Sequence, residues 1–404
     1  MRTIGKRAVF AWKRVPRWNI MMITSIAVII TFVVSSIFLF HTQQIGTTTS
    51  ITSADLASVP LSSIVSNIPS DSSDSLPVRG SLLTSNNASN IHFITVQTGP
   101  SPTWCRMLLS AALTDNNITI VNLAWGAKYA HIKRPQWILE YLSNLPAADV
   151  VLFADGGDTI YTGIAASSIR RRFLDATAAT PEDFSHEQVA QGLQLSPVLF
   201  NAEANCYHQQ TFQGSWGVKK GKCLSAYKRY DPNITSKYRF LNGGGWIARV
   251  WAARQVFQAA VDIIKHDSHW WCDQSVFGGL LLSGKLRGIL GLDINNKFFL
   301  PTYHLRPQRD FCPRSSLLSV GVPESLRMCH SAEIPSVLHF NGKSEGKFTA
   351  DVMLRTGWSA RLKNDRDRTD SLFIARDSHT ILAAGLLLKR VTIGKICPSL
   401  SLPV

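Results

Sequence analysis

The chain lacks the short signatures that mark several common ligand-binding classes. No GxGxxG follows its first predicted strand and no GxxxxGK[ST] occurs, so the dinucleotide fingerprint and the phosphate-binding P-loop are both missing. No CxxC pair or Cys/His spacing suggests a zinc site. The chain also has no internal repeat and no nucleic-acid-binding motif, so we expect no nucleic-acid partner.

Basic residues are absent from a long stretch near the N-terminus. Between Arg17 and Arg79 there is no lysine or arginine, and residues 20–40 carry no charge and are long enough to cross a bilayer. Six basic residues precede this segment: Arg2, Lys6, Arg7, Lys13, Arg14 and Arg17. Because basic flanks stay in the cytoplasm, we expect a single-pass type II membrane protein of the Golgi or ER. Residues 1–19 would be its cytoplasmic tail and 20–40 its transmembrane signal-anchor.

A cleaved signal peptide is the alternative for residues 20–40. Its apolar core would be shorter and small residues would mark the cleavage site, whereas the bulky Phe38, Leu39 and Phe40 close this run. The sequence therefore favours an uncleaved anchor, with the rest of the chain in the lumen.

Residues 41–90 contain no Trp, Tyr, Phe or Cys, and more than a third of them are Ser or Thr. Such a segment cannot bury enough apolar surface to fold, so we expect an extended lumenal stem. The Ser/Thr content with scattered proline also permits O-glycosylation, while a plain flexible linker would give the same architecture.

From residue 91 the pattern alternates strand-like and helix-like segments. Three predicted strands and two predicted helices follow one another: 91–98, 103–113, 118–123, 135–145 and 150–153. This βαβαβ order implies an α/β fold with a mostly parallel central sheet and right-handed crossovers. We assign residues 91–345 to this domain and residues 346–404 to a C-terminal extension packed on it.

Two aspartates follow the third predicted strand, in the sequence VVLFADGGDTIY at 150–161. Asp155 and Asp158 are separated by two glycines, which let the backbone turn sharply as the strand ends. Both carboxylates can then converge beyond the sheet edge, where ligands of open α/β sheets bind. Two oxygen donors there suit Mg²⁺ or Mn²⁺, which completes its shell with substrate phosphates. The alternative is a strand followed by an ordinary Asp-Gly turn.

Two later segments place polar groups beside glycines or at a helix start. Residues 241–245 read LNGGG, where Asn242 offers a donor and an acceptor and the glycines permit close approach to a ligand. The alternative there is a flexible turn. Asp273 and Gln274 precede an apolar stretch and fit a helix N-terminus, where a carboxylate also serves simply as a cap.

His339 and Lys343 lie in a third segment, which follows a short apolar run. An imidazole suits a metal and an ammonium group suits a phosphate, although a single histidine is more often a hydrogen-bonded core residue. The net charge of +15, of which six charges belong to the tail, also suits an anionic substrate such as a nucleotide diphosphate.

Taken in order, these segments resemble the glycosyltransferase domains of the procollagen lysyl hydroxylase and procollagen galactosyltransferase families. The family pattern is a DxxD after a hydrophobic strand, an Ala-Glu segment, an LNSGG loop, a DDQ and a late HxNG. The corresponding residues span about 91–345: Asp155 to Asp158, Ala202 and Glu203, 241–245, Cys272 to Gln274, and His339 to Gly342.

This resemblance implies a GT-A-like fold, preceded here by one transmembrane helix, that binds a UDP-sugar through Mn²⁺, with Mg²⁺ as a second option. The metal ligands that it implies are Asp155, Asp158 and His339. The substrate-binding residues are Glu203, Asn242, Gly243, Gly244 and Lys343. The catalytic residues, near the transfer centre, are Asp273 and Gln274.

The implied function is a metal-dependent glycosyltransferase that moves a hexose from a UDP-sugar to a hydroxyl of a protein or glycan acceptor in the secretory pathway. Two positions depart from the pattern, since Gly243 replaces a serine and Cys272 replaces the first aspartate of DDQ. The second departure keeps open a catalytically degenerate sugar- or protein-binding relative. A metal-dependent phosphodiesterase is a third interpretation, but it would need a richer Asp/His cluster for two metals.

All seven cysteines lie beyond the predicted anchor. In an oxidising lumen some of them should form disulfides, and the odd count leaves at least one outside these pairs. Asn87, Asn117 and Asn233 each begin an N-x-S/T sequon, which agrees with a secretory location.

Overall fold

The computed structural model describes residues 89–115, 118–208, 222–312, 326–342, 371–376 and 388–397. The predicted tail, membrane anchor and nearly all of the stem lie outside the described residues, as does Lys343. Within the described ranges, no helix combines the length and apolarity that a bilayer span needs.

Strands and helices alternate along the first half of the described chain. The strands are β1 (Ile91–Thr95), β2 (Ile120–Trp125), β3 (Val150–Ala154), β4 (Thr159–Tyr161), β5 (Val198–Glu203), β6 (Phe240–Arg249), β7 (Leu290–Asp293), β8 (Phe299–Pro301), β9 (Val337–His339), β10 (Ser371–Arg376) and β11 (Leu388–Thr392). The helices are α1 (Pro102–Thr114), α2 (Arg134–Leu142), α3 (Ala166–Leu174), α4 (His186–Ala190), α5 (Cys223–Tyr230), α6 (Val250–His266), α7 (Asp273–Ser283), α8 (Pro307–Asp310) and α9 (Ile393–Ile396). The five elements predicted between 91 and 153 are all confirmed.

An eight-stranded sheet forms the centre of the fold, in the order β11-β10-β2-β1-β3-β6-β5-β7. β1 runs parallel to β2 and β3, β10 runs parallel to β2, and β7 runs parallel to β5. β6 is antiparallel to both β3 and β5, and β11 is antiparallel to β10. The predicted α/β fold with a mostly parallel central sheet is therefore confirmed, in a Rossmann-like arrangement.

Alternate residues of β3 point into two hydrophobic cores on opposite faces of the sheet. Val151 and Phe153 belong to the core formed with α2, α6 and α7, and Val150 and Leu152 belong to the core formed with α1. Phe153 also stacks on Trp246 of β6, with ring centroids 5.6 Å apart. Because both faces of β3 are buried, its sequence is apolar throughout instead of alternating.

A smaller sheet of three strands, in the order β4-β9-β8, follows the turn after β3. β4 runs antiparallel to β9, with Thr159 opposite His339, and β8 runs parallel to β9. This pairing brings the turn that holds Asp155 and Asp158 next to His339, although the histidine is far away in sequence.

Residues 241–245 are neither the flexible turn that is the alternative for this segment nor a loop like that of the family pattern. They lie inside β6, whose residues are all buried, and Gly245 pairs with Ala154 of β3. Close packing requires the absence of a side chain here, since a Cβ on Gly245 would lie 2.6 Å from the Phe299 ring. Glycine disfavours strands in isolation, but here Gly245 pairs with β3 and the residues on either side of the glycines pair with β5, which overrides that preference.

Two disulfides form among the described residues, which confirms the prediction that some of the cysteines form disulfides. They join Cys105 of α1 to Cys397, just after α9, and Cys206 to Cys223 at the start of α5. The first disulfide fastens the last described residues to α1. Cys272 lies outside both disulfides and is a buried thiol immediately before α7.

Candidate functional site

The candidate site lies where β3, β5 and β9 end. β3 and β5 are both antiparallel to β6, so their carboxyl ends reach the same edge of the central sheet, where ligands of open α/β sheets bind. β3 leads into Asp155 and Asp158, β5 ends at Glu203, and β9 ends at His339. Helix α7 begins at Asp273, which confirms the predicted helix start.

Asp158 and His339 face each other across the β4–β9 pairing. The Nε2 atom of His339 lies 3.1 Å from Oδ1 of Asp158. This oxygen is buried, and among the described residues no hydrogen-bond donor is aligned with it. Burial alone would lower the pKa of His339, but the Asp158 carboxylate holds that pKa above its usual value. Burial would raise the pKa of Asp158, but His339 brings it below its usual value.

This pair fits a divalent cation. Neighbouring ligands of an octahedral ion with bonds of about 2.1 Å are about 3.0 Å apart, and the Asp158 and His339 atoms are 3.1 Å apart. A buried carboxylate oxygen without an aligned donor is also an atom that a cation would satisfy. One carboxylate and one imidazole suit Mn²⁺ better than Mg²⁺, because Mg²⁺ prefers oxygen ligands.

Asn201 contacts the other nitrogen of the His339 ring. Its Nδ2 lies 3.3 Å from Nδ1 of the ring, whereas its own buried Oδ1 receives no hydrogen bond from the part of the chain that the structure describes. With this amide turned over, Oδ1 would accept a hydrogen bond from Nδ1–H. Nε2 would then present its lone pair toward Asp158, in the tautomer that metal-binding histidines need.

Asp155 has a different environment from Asp158. Its Oδ2 accepts a hydrogen bond from Nη1 of Arg134 at 2.9 Å, and its Oδ1 accepts one from the Gly157 N–H at 3.2 Å. Burial raises the pKa of Asp155, and the charge of Asp158 raises it further. In the described part of the chain, Asp155 does not complete a three-residue group with Asp158 and His339 at metal-ligand spacing. Its role as a third metal ligand stays a prediction.

Arg134 is a site residue that the sequence reasoning missed. Its Nε and Nη2 donate to the two carboxylate oxygens of Asp273, both at 2.7 Å, while its Nη1 reaches Asp155. The side chains of Arg134 and Asp273 are each only 5% exposed. This buried bidentate pair joins the first residues of α2 and α7 and fixes the orientation of both carboxylates.

Glu203 connects three other predicted site residues. Its Oε1 accepts a hydrogen bond from Gln274 Nε2 at 3.1 Å, and its Oε2 accepts one from Asn341 Nδ2 at 2.7 Å. Gln274 in turn accepts a hydrogen bond from the Gly243 N–H at 2.9 Å. Burial raises the pKa of Glu203 to about 7, against the lowering effect of hydrogen bonds that include one from Asn242.

Gly243 and Gly244 lie directly under side chains of predicted site residues. A Cβ on Gly244 would lie 2.2–2.9 Å from atoms of the His339 ring, so the ring occupies the place of a side chain. A Cβ on Gly243 would lie 3.2 Å from Cβ of Gln274 and 3.7 Å from Nη2 of Arg134. The serine expected at 243 would therefore point between these two residues, and its absence leaves their contacts undisturbed.

We expect Gly244→Ala to weaken Mn²⁺ binding by about tenfold or more, because the His339 ring must move away from the new methyl group. Gly157→Ala is the matched control, since a Cβ there would meet only Asp155 Oδ1, at 3.8 Å. The electron paramagnetic resonance signal of free Mn²⁺ measures both affinities. Equal affinities of the two variants would contradict the placement of His339.

The structure thus brings together nine of the ten predicted site residues at one sheet edge, and Lys343 is the one outside the described residues. Among the described residues, the group of three that has metal-ligand spacing is Cys206, His208 and Cys223. Its two sulfurs form a disulfide, so it offers no thiolate to a metal. No protein-family model and no curated protein matches the chain.

Proposed function

We propose that the chain is a metal-dependent glycosyltransferase with a GT-A-like fold, anchored in the Golgi or ER membrane through residues 20–40. It would move a hexose from a UDP-sugar to a hydroxyl of a protein or glycan acceptor. The observation that carries this proposal is the Asp158–His339 pair, at 3.1 Å, beside Asp155 at the edge of an α/β sheet. A cation at this edge suits a diphosphate ligand.

Asp158 and His339 would hold the cation, with Asp155 available from the same turn. A bound divalent cation supplies a Lewis acid that neutralises the negative charge growing on the leaving diphosphate. Mn²⁺ is the ion that this donor set favours, and Mg²⁺ is the alternative. Lys343, four residues after His339, would add a positive charge toward the phosphates.

Asn242, Gly243 and Gly244 would lie along the sugar donor, as the resemblance implies. Their backbone runs beneath His339 and Gln274, so the donor would lie over a strand and not within a flexible loop. Glu203 would hold the Gln274 amide in place through the 3.1 Å hydrogen bond. Gln274 would then contact the substrate near the transfer centre.

Asp273 would act by holding Arg134. Both of its oxygens accept hydrogen bonds from the guanidinium group, which favours this role over transfer of a proton from the acceptor hydroxyl. The cationic Arg134, held between Asp273 and Asp155, would lie beside the charge that develops during transfer.

A catalytically degenerate binder is the second candidate. The observation in its favour is Cys272, a buried thiol at the position where the family pattern has a carboxylate. Burial raises the pKa of this thiol, so it remains neutral and cannot replace the missing charge.

A screen of UDP-sugars against the full chain in detergent, with and without Mn²⁺, tests the proposal. We expect Mn²⁺-dependent release of UDP from one donor, and faster release when its acceptor is present. Mn²⁺-dependent binding of a UDP-sugar without release from any donor would instead support the degenerate binder. If no UDP-sugar binds with Mn²⁺ present, the glycosyltransferase and the sugar-binding form of the degenerate relative both fail.

A further inference from the structure

Exposed aromatic side chains cluster at one side of the candidate site. In the described part of the chain, the large apolar side chains that are exposed are Tyr129, Leu193, Tyr207, Leu224 and Trp271. Tyr207 and Trp271 contact each other edge to face, with ring centroids 6.5 Å apart. Large exposed aromatic groups in contact with each other are uncommon on a surface that binds nothing.

This Tyr207–Trp271 pair is tied to the site through the backbone. Trp271 is 53% exposed and precedes Asp273 by two residues, so it lies at the start of α7. The carbonyl oxygen of Tyr207 is 3.4 Å from Nε2 of Gln274. The pair therefore lies next to the residues that we place near the transfer centre.

Side-chain hydrogen bonds link the neighbourhood of the Tyr207–Trp271 pair to that of the candidate metal site. A chain of hydrogen bonds runs from Asn341, two residues after His339, through Glu203 to Gln274. The carbonyl of Tyr207 adjoins Gln274 at one end of this chain, and Asn341 at the other end follows β9, which ends at His339. A donor whose diphosphate binds at the metal end leaves the aromatic end for the second substrate.

The chemistry of the pair favours a sugar ring over a basic peptide. A pyranose presents one face of C–H bonds, whose hydrogens carry partial positive charge and fit against the electron-rich face of an aromatic ring. A lysine-rich acceptor could also contact such a face through its ammonium groups. However, the excess of basic residues outside the tail repels a cationic partner and leaves a neutral sugar unaffected.

We propose that the Tyr207–Trp271 pair is the acceptor subsite, and that it binds a pyranose ring of a glycan acceptor. This proposal rests on the proposed function and narrows its acceptor to a glycan. Trp271 supplies the larger stacking surface, Tyr207 supports it from the side, and the acceptor hydroxyl would lie toward Gln274.

Saturation-transfer NMR on the full chain in detergent, with UDP and the diamagnetic alternative ion Mg²⁺ present, tests this subsite. The probes are the methyl glycosides of galactose, glucose and mannose, and N-acetyl-lysine methylamide as a cationic probe. We expect at least one glycoside to receive magnetisation at its ring C–H protons. Trp271→Ala and Tyr207→Ala should each reduce that signal, by about fivefold for Trp271→Ala. Leu193→Ala, which removes an even more exposed apolar side chain elsewhere, should leave it unchanged.

The UDP signals serve as the internal reference. Two results would overturn the subsite and leave the proposed function standing, provided that the UDP signals are normal. In the first, no glycoside receives magnetisation. In the second, a glycoside signal persists in both aromatic variants. The subsite would also be overturned, in favour of a basic peptide, if the two aromatic variants removed the signal of the lysine probe and not that of a glycoside. Absence of UDP signals in the unaltered chain would overturn the proposed function, and with it the role of the pair as an acceptor subsite, whatever the glycoside contacts show.

Discussion

Arg134→Met should lower the free energy of unfolding by about 3–5 kcal/mol, because it leaves the Asp273 carboxylate buried without its partner. The unaltered guanidinium donates two hydrogen bonds of 2.7 Å to Asp273 and one of 2.9 Å to Asp155. Both members of the Arg134–Asp273 pair are only 5% exposed, so water cannot replace the lost contacts. Urea denaturation followed by tryptophan fluorescence measures the change.

Two further variants make this result specific. Lys237→Met removes one member of an ion pair of similar length, 2.8 Å, but its lysine is 43% exposed and the loss should stay below about 1 kcal/mol. Adding Asp273→Asn to Arg134→Met should restore part of the stability, since the unpartnered charge is then gone. A loss below about 1 kcal/mol in Arg134→Met itself would show that the pair is not buried as described.

Asp158→Asn should lower the affinity for Mn²⁺ by at least about 100-fold while the chain stays folded. The substitution keeps the shape of the side chain but removes the charge that faces His339 at 3.1 Å. An amide oxygen is a weaker ligand than a carboxylate oxygen, and the charge balance of the site changes by one unit. Titration of Mn²⁺ with detection of the free ion by paramagnetic resonance measures the affinity.

Asp175→Asn is the matched control, because Asp175 is exposed at the end of α3. It should bind Mn²⁺ as the unaltered chain does. If Asp158→Asn binds Mn²⁺ within about twofold of this control, Asp158 is not a ligand, and the Asp158–His339 pair is only a structural contact.

The central strands could be predicted from sequence because their signal is local. β3 is buried on both faces, so it is apolar at every position and stands out from its neighbours. The aspartates and glycines that follow β3 mark its end, because they interrupt the apolar run. β6 could not be predicted in this way, because its glycines belong to a strand only through contacts with distant segments. Gly245 pairs with Ala154 of β3, and the residues on either side of the glycines pair with β5.

The site was predictable where a family pattern recurs in order, and not where it depends on contacts between distant residues. The turn at Asp155 and Asp158 and the helix start at Asp273 are local features. Arg134 is 139 residues from Asp273, and nothing around it in the sequence indicates a buried ion pair. Tyr207 was missed for the same reason, since its contact with Trp271 exists only in the folded chain.

The measurement that tests the central claim most directly is the affinity of the full chain for UDP with and without Mn²⁺, by calorimetry in detergent. A metal–nucleotide site built on Asp158 and His339 predicts that UDP binds in the presence of Mn²⁺ and at least about tenfold more weakly after the metal is chelated. The same affinity in both conditions, or no binding of UDP in either, would contradict the account.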